Sequence, residues 1–285
     1  GDAMFKQVEK VAPSLILFPE PSAFEQSLDG SFRNFLTEAV PAAAPIDSDT
    51  ATRLRTDPEI IEYQSDGDDR IIAALLFYGT GMDYYSALNM VENIDNTKKE
   101  EIFRSLFQEL EFYDTPPREF EMTDLTFQAV ISATNFAQLK RHRMATLLSG
   151  EYNTDFGNVI PPNIKIVGLE NEFNDIIETT NGVYNELKEK YNDAADYILT
   201  NSHCRHVVMK MNMRELYHFM RLRDDAHAQW DIRNLAHNLL IKIKPLLPLS
   251  AMLLCGKSDY ESIYETTFGN KPKILIKDNI AVQKD

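Results

Sequence analysis

"MNMRELYHFMRLRDDAHAQWDIR", residues 211–233, carries the most information in this chain. Just before and within it, Val207, Met209, Met211 and Met213 alternate with Val208, Lys210 and Asn212. A period of two predicts a strand that ends near Asn212. The pattern then changes. Arg214 and His218 are four residues apart, so on a helix they share one face. Asn212, Arg214, His218, Arg221 and Arg223 therefore cluster where a strand hands over to a helix. Such a cluster suits an anion, because arginine donates two parallel hydrogen bonds and a helix N-terminus adds its dipole. It equally fits a half-buried histidine among surface arginines. Further on, Ile232, Leu235, Ala236, Leu239, Leu240 and Ile243 form a helical stripe, with Asp224 or Asp225 expected to cap its start and Pro245 to end it.

Working outward, Leu125, Phe127, Ala129 and Ile131 alternate with Thr126, Gln128 and Val130, a second strand pattern. "TNFAQLKRHRMATLL" (134–148) follows as a helix, with Arg141, His142 and Arg143 on it or at its end. Neighbours on a helix point about 100° apart, so those three side chains do not all face one site. "PPNIKIVG" (161–168) reads as loop and strand, and Ile176 to Tyr191 as a helix. Upstream, "RIIAALLFYG" (70–79) is a buried helix or strand, and "KKEEIFRSLFQEL" (98–110) a helix stopped by Pro116 and Pro117. This order is α+β rather than a repeating βαβ alternation. Residues 1–65, with "PEPSAF" and "VPAAAPIDSDTATR", read as loops around short helices, an N-terminal extension to a domain over 66–285.

Composition narrows the function. A net charge of −15 across 285 residues repels nucleic-acid polymers, so no such partner is expected, while a small anion in a local basic pocket stays possible. Hydrophobic residues make up 44%, enough for a real core, but the longest apolar runs are too short to cross a bilayer. Cys204 and Cys255 form neither a CxxC pair nor a disulfide framework, which points to a reducing, cytoplasmic setting.

The Arg-His-Arg run together with the later Asn-x-Arg…His…Arg…Ala-Gln-Trp-Asp-Ile-Arg block resembles the flavin-dependent thymidylate synthases. Matching positions include Asn212, Arg214, Leu216, His218, Phe219, Arg223, Ala228, Gln229, Ile232 and Arg233, over roughly residues 69–260. The resemblance implies mixed helices and an antiparallel sheet, a homotetramer, and FAD as cofactor. It also implies NADPH as reductant, methylene-tetrahydrofolate as one-carbon donor, and methylation of dUMP to dTMP or action on a related pyrimidine nucleotide. It places Arg141, His142, Arg143, Asn212, Arg214, His218 and Glu121 on the flavin. Gln138 and Arg223 fall on the pyrimidine, with Arg223 catalytic.

The chain departs from that signature beyond the run. The family's Ser falls on Glu151 and its second Arg on Asn153, and a further phosphate-holding Arg aligns with Asp196. Carboxylates there repel a phosphate, an effect worth several kcal/mol at about 4 Å in a partly buried site. Glu151 is the candidate substitute catalytic base. Two expectations result: an enzyme of this family, or a flavin-binding homologue that has exchanged synthase activity for a binding or regulatory role. No metal site is expected. His203 and His206 in "HCRH" face opposite sides of a strand, and His227 with Asp231 supply two ligands only.

Overall fold

The computed structural model describes residues 2–15, 22–40, 46–277 and 280–283. The chain divides into two compact units, Gly1–Ile46 and Asp47–Asp285. The first contains α1 (Asp2–Glu9), α2 (Ala23–Ser27), a π-helical turn over Leu28–Phe32 and α3 (Arg33–Ala39). Ser22 and Glu25 form a reciprocal capping box at the start of α2.

The second unit opens with α4 (Ser48–Thr56), β1 (Glu59–Tyr63), α5 (Gly67–Thr80), α6 (Tyr84–Glu92) and α7 (Asn96–Phe107). Then come β2 (Asp124–Ser132), α8 (Ala133–Leu139), β3 (Thr146–Tyr152), α9 (Pro162–Ile166) and α10 (Glu170–Tyr191). β4 (Cys204–Asn212), α11 (Met213–Arg223), α12 (Trp230–Leu246), α13 (Tyr260–Phe268), β5 (Ile274–Lys277) and β6 (Ile280–Gln283) complete it. The fold is α+β. Four strands pair antiparallel in the order β1-β2-β4-β3, and β5 pairs with β6.

The alternating residues do what their period dictates. Leu125 lies opposite Met211 and Phe127 opposite Met209, and all four are fully or almost fully buried. The α12 stripe from Ile232 to Ile243 buries against the same core, as do Leu216, Phe219 and Met220 of α11. Phe103, Phe107, Phe120 and Tyr217 meet edge-on or tilted, with centroids 5.6 to 6.1 Å apart. Arranged so, aromatic rings add to what their buried area contributes.

Five features differ from the sequence expectations. The helix expected over 134–148 stops at Leu139. Residues 140–145 form turns, and 146–152 leave as β3, paired with β4. The Arg-His-Arg run thus sits just past a helix end. "PPNIKIVG" folds as α9, because proline is well placed in a first helical turn. The long C-terminal helix begins at Trp230 rather than at Asp224. Gln229 caps it by accepting from the Asp231 and Ile232 N–H groups. Pro245 lies within the final turn instead of ending the helix. Lastly, β1 pairs with β2, so residues 59–63, assigned to the extension, belong to the main sheet. Val40–Arg53 was expected as loop and short helix; residues 41–45 lie outside the described residues, and 48–56 form α4.

Candidate active site

Two strand-to-helix junctions build the site. At the end of β2, Ser132 accepts from the Asn135 N–H and starts α8, which carries Gln138. At the end of β4, Asn212 accepts from the Glu215 N–H at 2.8 Å and starts α11. Both are side-chain N-caps, the expected use of Ser and Asn at these positions. The turn after α8 then carries His142 inward, where it is 4% exposed, while Arg141 and Arg143 remain exposed on either side.

His142 is the hub. Its Nδ1 lies 3.0 Å from Oε1 of buried Glu215, and its Nε2 lies 3.0 Å from Nε of Arg223. A guanidinium N–H can only donate, so His142 Nε2 accepts. The ring proton therefore sits on Nδ1 and is donated to Glu215. Arg223 also donates through Nη1 to Gln138 Oε1 at 2.7 Å and through Nη2 to the Gln138 carbonyl at 3.3 Å. His218 and Phe219 meet the His142 ring edge-on at 5.6 and 5.0 Å. Burial pulls the Arg223 pKa down from its usual value, and nearby Arg141 acts in the same direction. Burial also lowers the His218 pKa, with Glu215 opposing it.

A second group lies at the start of α11. Arg214 donates to Glu121 at 3.0 Å and to the Pro116 carbonyl at 2.9 Å. Arg118 also pairs with Glu121, and hydrogen bonding from it holds the Glu121 carboxyl below the ordinary carboxylate range. A third group lies on β3 and α10. Lys188 sits 3.9 Å from Glu151 and 4.0 Å from Asp196. The Tyr184 hydroxyl reaches Asp196 and the Tyr152 carbonyl. Arg205 is sandwiched between the rings of Phe136 and Tyr152, 4.5 and 4.3 Å from their centroids.

So the structure joins Gln138, His142, His218 and Arg223 in one network, joins Arg214 to Glu121, and places Glu151 in a separate cluster. Asn153 is spent locally, accepting from the Asp155 N–H. The cost assigned to Glu151 and Asp196 changes here. Their side chains are 57% and 32% exposed and share a lysine, so solvent and Lys188 screen the repulsion. Glu215, Lys188 and Arg205 were missed. Glu215 offered one signal, an acidic residue three positions after the Asn212 cap; Lys188 offered another, four positions after Tyr184 on the same helix face. His203 precedes β4 and pairs with Asn181, while His206 lies on β4 and pairs with Gln128.

The model of the family described as thymidylate synthase complementing protein matches residues 59–249. The chain belongs to this family. Among its members' relatives, a flavin-dependent thymidylate synthase from Sulfurisphaera tokodaii is 28% identical over 240 residues, covering 78% of this chain and 87% of that protein. A Thermoplasma acidophilum protein is 27% identical over 139 residues, covering 48% of this chain. The chain spans only 28% of that longer relative. In fold the family member resembles a UMP/dUMP methylase, PolB from Streptomyces cacaoi, solved with 5-Br dUMP. The TM-score is 0.54 and the identity 17%, covering 70% of this chain and 95% of that one. No described helix is long and apolar enough to cross a membrane.

Proposed function

We propose that the chain is an FAD-dependent enzyme that methylates a pyrimidine nucleotide, dUMP or a close analogue. Methylene-tetrahydrofolate serves as carbon donor and NADPH as reductant, and the active form is a cytoplasmic homotetramer. The observation that carries this reading is Arg223, which donates to His142 and Gln138 across 81 and 85 residues of sequence. Motif positions far apart in sequence become one hydrogen-bonded unit, which family membership alone does not require.

The donor set fits FAD. Exposed Arg141 and Arg143 offer guanidinium groups suited to a diphosphate, and Arg214 stands with Asn212 at a helix N-terminus. Asn212 spends its oxygen on the cap, which leaves its amide N–H₂ as the group to donate to a cofactor. When bound, FAD supplies the redox and one-carbon chemistry. The residues supply position and charge. Gln138 and His142 hold the Arg223 fork in one plane, so it presents a fixed cation to an electron-rich pyrimidine carbonyl. Glu215 keeps the His142 proton on Nδ1 and leaves Nε2 to accept from Arg223. Glu151, beside Lys188 in a cluster separate from Arg223, is the base in this reading because it occupies the family's signature position.

A second reading is a flavin-binding homologue with a regulatory or binding role. It is favoured by the two carboxylates, Glu151 and Asp196, around Lys188. The separating experiment is conversion of dUMP to dTMP with FAD, NADPH and methylene-tetrahydrofolate supplied. Turnover that disappears in Arg223→Ala supports the enzyme. Tight FAD binding without turnover on dUMP or other pyrimidine nucleotides supports the second reading.

A further inference from the structure

A cavity of about 830 Å³ opens between α4, the end of β2, α8 and α12; no residue of the three groups above lines it, though Asp224, the neighbour of Arg223, does. Its volume lies within the range of small-molecule sites, about 300–1,000 Å³. Its inner wall is short of donors. Asn135 is 1% exposed and Asp224 6% exposed; Oδ1 of the first and Oδ2 of the second are buried without a hydrogen-bond partner, and both residues line the cavity. Buried acceptors left unpaired cost free energy that a ligand N–H can recover. Two neighbouring polar groups are already committed. Ser132 donates to Asp231 Oδ2, and His237 Nδ1 pairs with Asp224 Oδ1.

Two other features define the occupant. Trp230 contributes a flat aromatic surface, suited to stacking a heterocycle. Arg55, Lys165 and Arg233 supply three cations against three acids, Asp224, Asp231 and Asp259. Arg55 already donates to the Phe156 carbonyl and Lys165 lies 3.8 Å from Glu170, which leaves Arg233 as the cation for a ligand anion. Arg233 spends Nη1 on the Ala226 carbonyl and keeps other N–H groups for an anion. A ligand that meets all of this has amino N–H donors at one end, a planar ring in the middle and a phosphate at the other. We infer that the cavity is a second nucleotide site, taking a nucleotide whose base carries an exocyclic amino group. It is distinct from the pyrimidine site at Arg223, and an occupant on Asp224 lies one peptide away from that arginine.

The chain has a single tryptophan, so its emission reports this cavity directly. The test titrates GMP, AMP, IMP and guanosine into the purified protein at fixed flavin content while following Trp230 fluorescence. GMP and IMP differ only by the 2-amino group. The expected result is saturable quenching by GMP or AMP, with IMP and guanosine each weaker by about tenfold, the equivalent of one hydrogen bond or one ion pair. Asn135→Leu is expected to lose the preference for GMP over IMP. Because that buried substitution can also disturb folding, the GMP/IMP comparison on the unaltered protein stands as the independent arm. Equal binding of GMP, AMP and IMP, or no saturable quenching by any of them, overturns the proposal.

Discussion

At the scale of single residues, the account turns on the tautomer of His142. Glu215 touches neither proposed ligand; it acts through His142 and is a positioning residue. Glu215→Gln keeps an acceptor amide oxygen for Nδ1–H, whereas Glu215→Ala removes it and leaves a buried donor unpaired, at a cost of about 1–3 kcal/mol. The expected outcome is near-normal kcat in the glutamine variant and a kcat lower by about tenfold to a hundredfold in the alanine variant, with KM little changed. Glu215→Ala is also expected to melt earlier, so its kcat is read well below that lowered midpoint: a loss that persists there marks a positioning role, and a kcat that recovers there marks a merely structural one. Glu151→Gln and Lys188→Met test the roles proposed for this cluster: as base, Glu151→Gln is expected to abolish turnover, and its charge acts on dUMP affinity separately. Glu151 is 57% exposed and Lys188 30%, so solvent screens both in part and each change is expected to shift dUMP affinity by no more than about fivefold, upward for the first and downward for the second. A titration in which Glu151→Gln weakens dUMP binding contradicts this charge assignment. His142, Gln138 and Arg223 were singled out through the resemblance to the family's motifs. Glu215 was not, since an acid in the first turn of a helix ordinarily signifies no more than a favourable dipole.

Elements were read well where periodicity was strong and poorly where a turn intervened. The alternation in β2 and β4 and the stripe in α12 were plain, because burial on one face leaves that trace. The stretch 134–148 misled because its apolar residues fit a helix as well as a short helix followed by a strand. Pairing with β4 decided the matter, and that is a long-range effect. Two junctions are testable. Asn212→Ala removes the cap of α11, at about 1 kcal/mol, and is expected to lower the thermal midpoint by about 2–4 °C. Gly256 is a different case. A Cβ there falls 1.6 Å from the Asp224 carbonyl oxygen, which is backbone and cannot swing aside. Gly256→Ala is expected to cost about 3 kcal/mol or more and to displace the loop that follows Arg223. Unchanged chemical denaturation of that variant would show the close approach to be dispensable.

For the molecule as a whole, burial sets the response to pH. His203 accepts from the Thr200 N–H on Nδ1 and pairs through Nε2 with Asn181, and burial lowers its pKa; His206 shifts the same way. A histidine whose folded pKa is depressed binds its proton first in the unfolded chain. Its contribution to stability is therefore complete above the unfolded value of about 6.5 and is lost as pH falls through the lower folded value. The urea midpoint is expected to drop between about pH 7.5 and about pH 5.5, with a shallower drop in His203→Gln. Cys204 and Cys255 are both buried, and burial pushes each thiol up to about 12. Neither is expected to react with a thiol reagent at about pH 8 until urea unfolds the chain, when both should.

The measurement that bears most directly on the central claim is the visible absorption spectrum of the purified protein with FAD, followed by titration with dUMP. The account predicts bound flavin whose spectrum shifts saturably with dUMP, and an Arg223→Ala variant that keeps the flavin and loses the dUMP response. A protein that leaves FAD free in solution contradicts the assignment of Arg141, Asn212 and Arg214 to a cofactor and, with it, the proposed function.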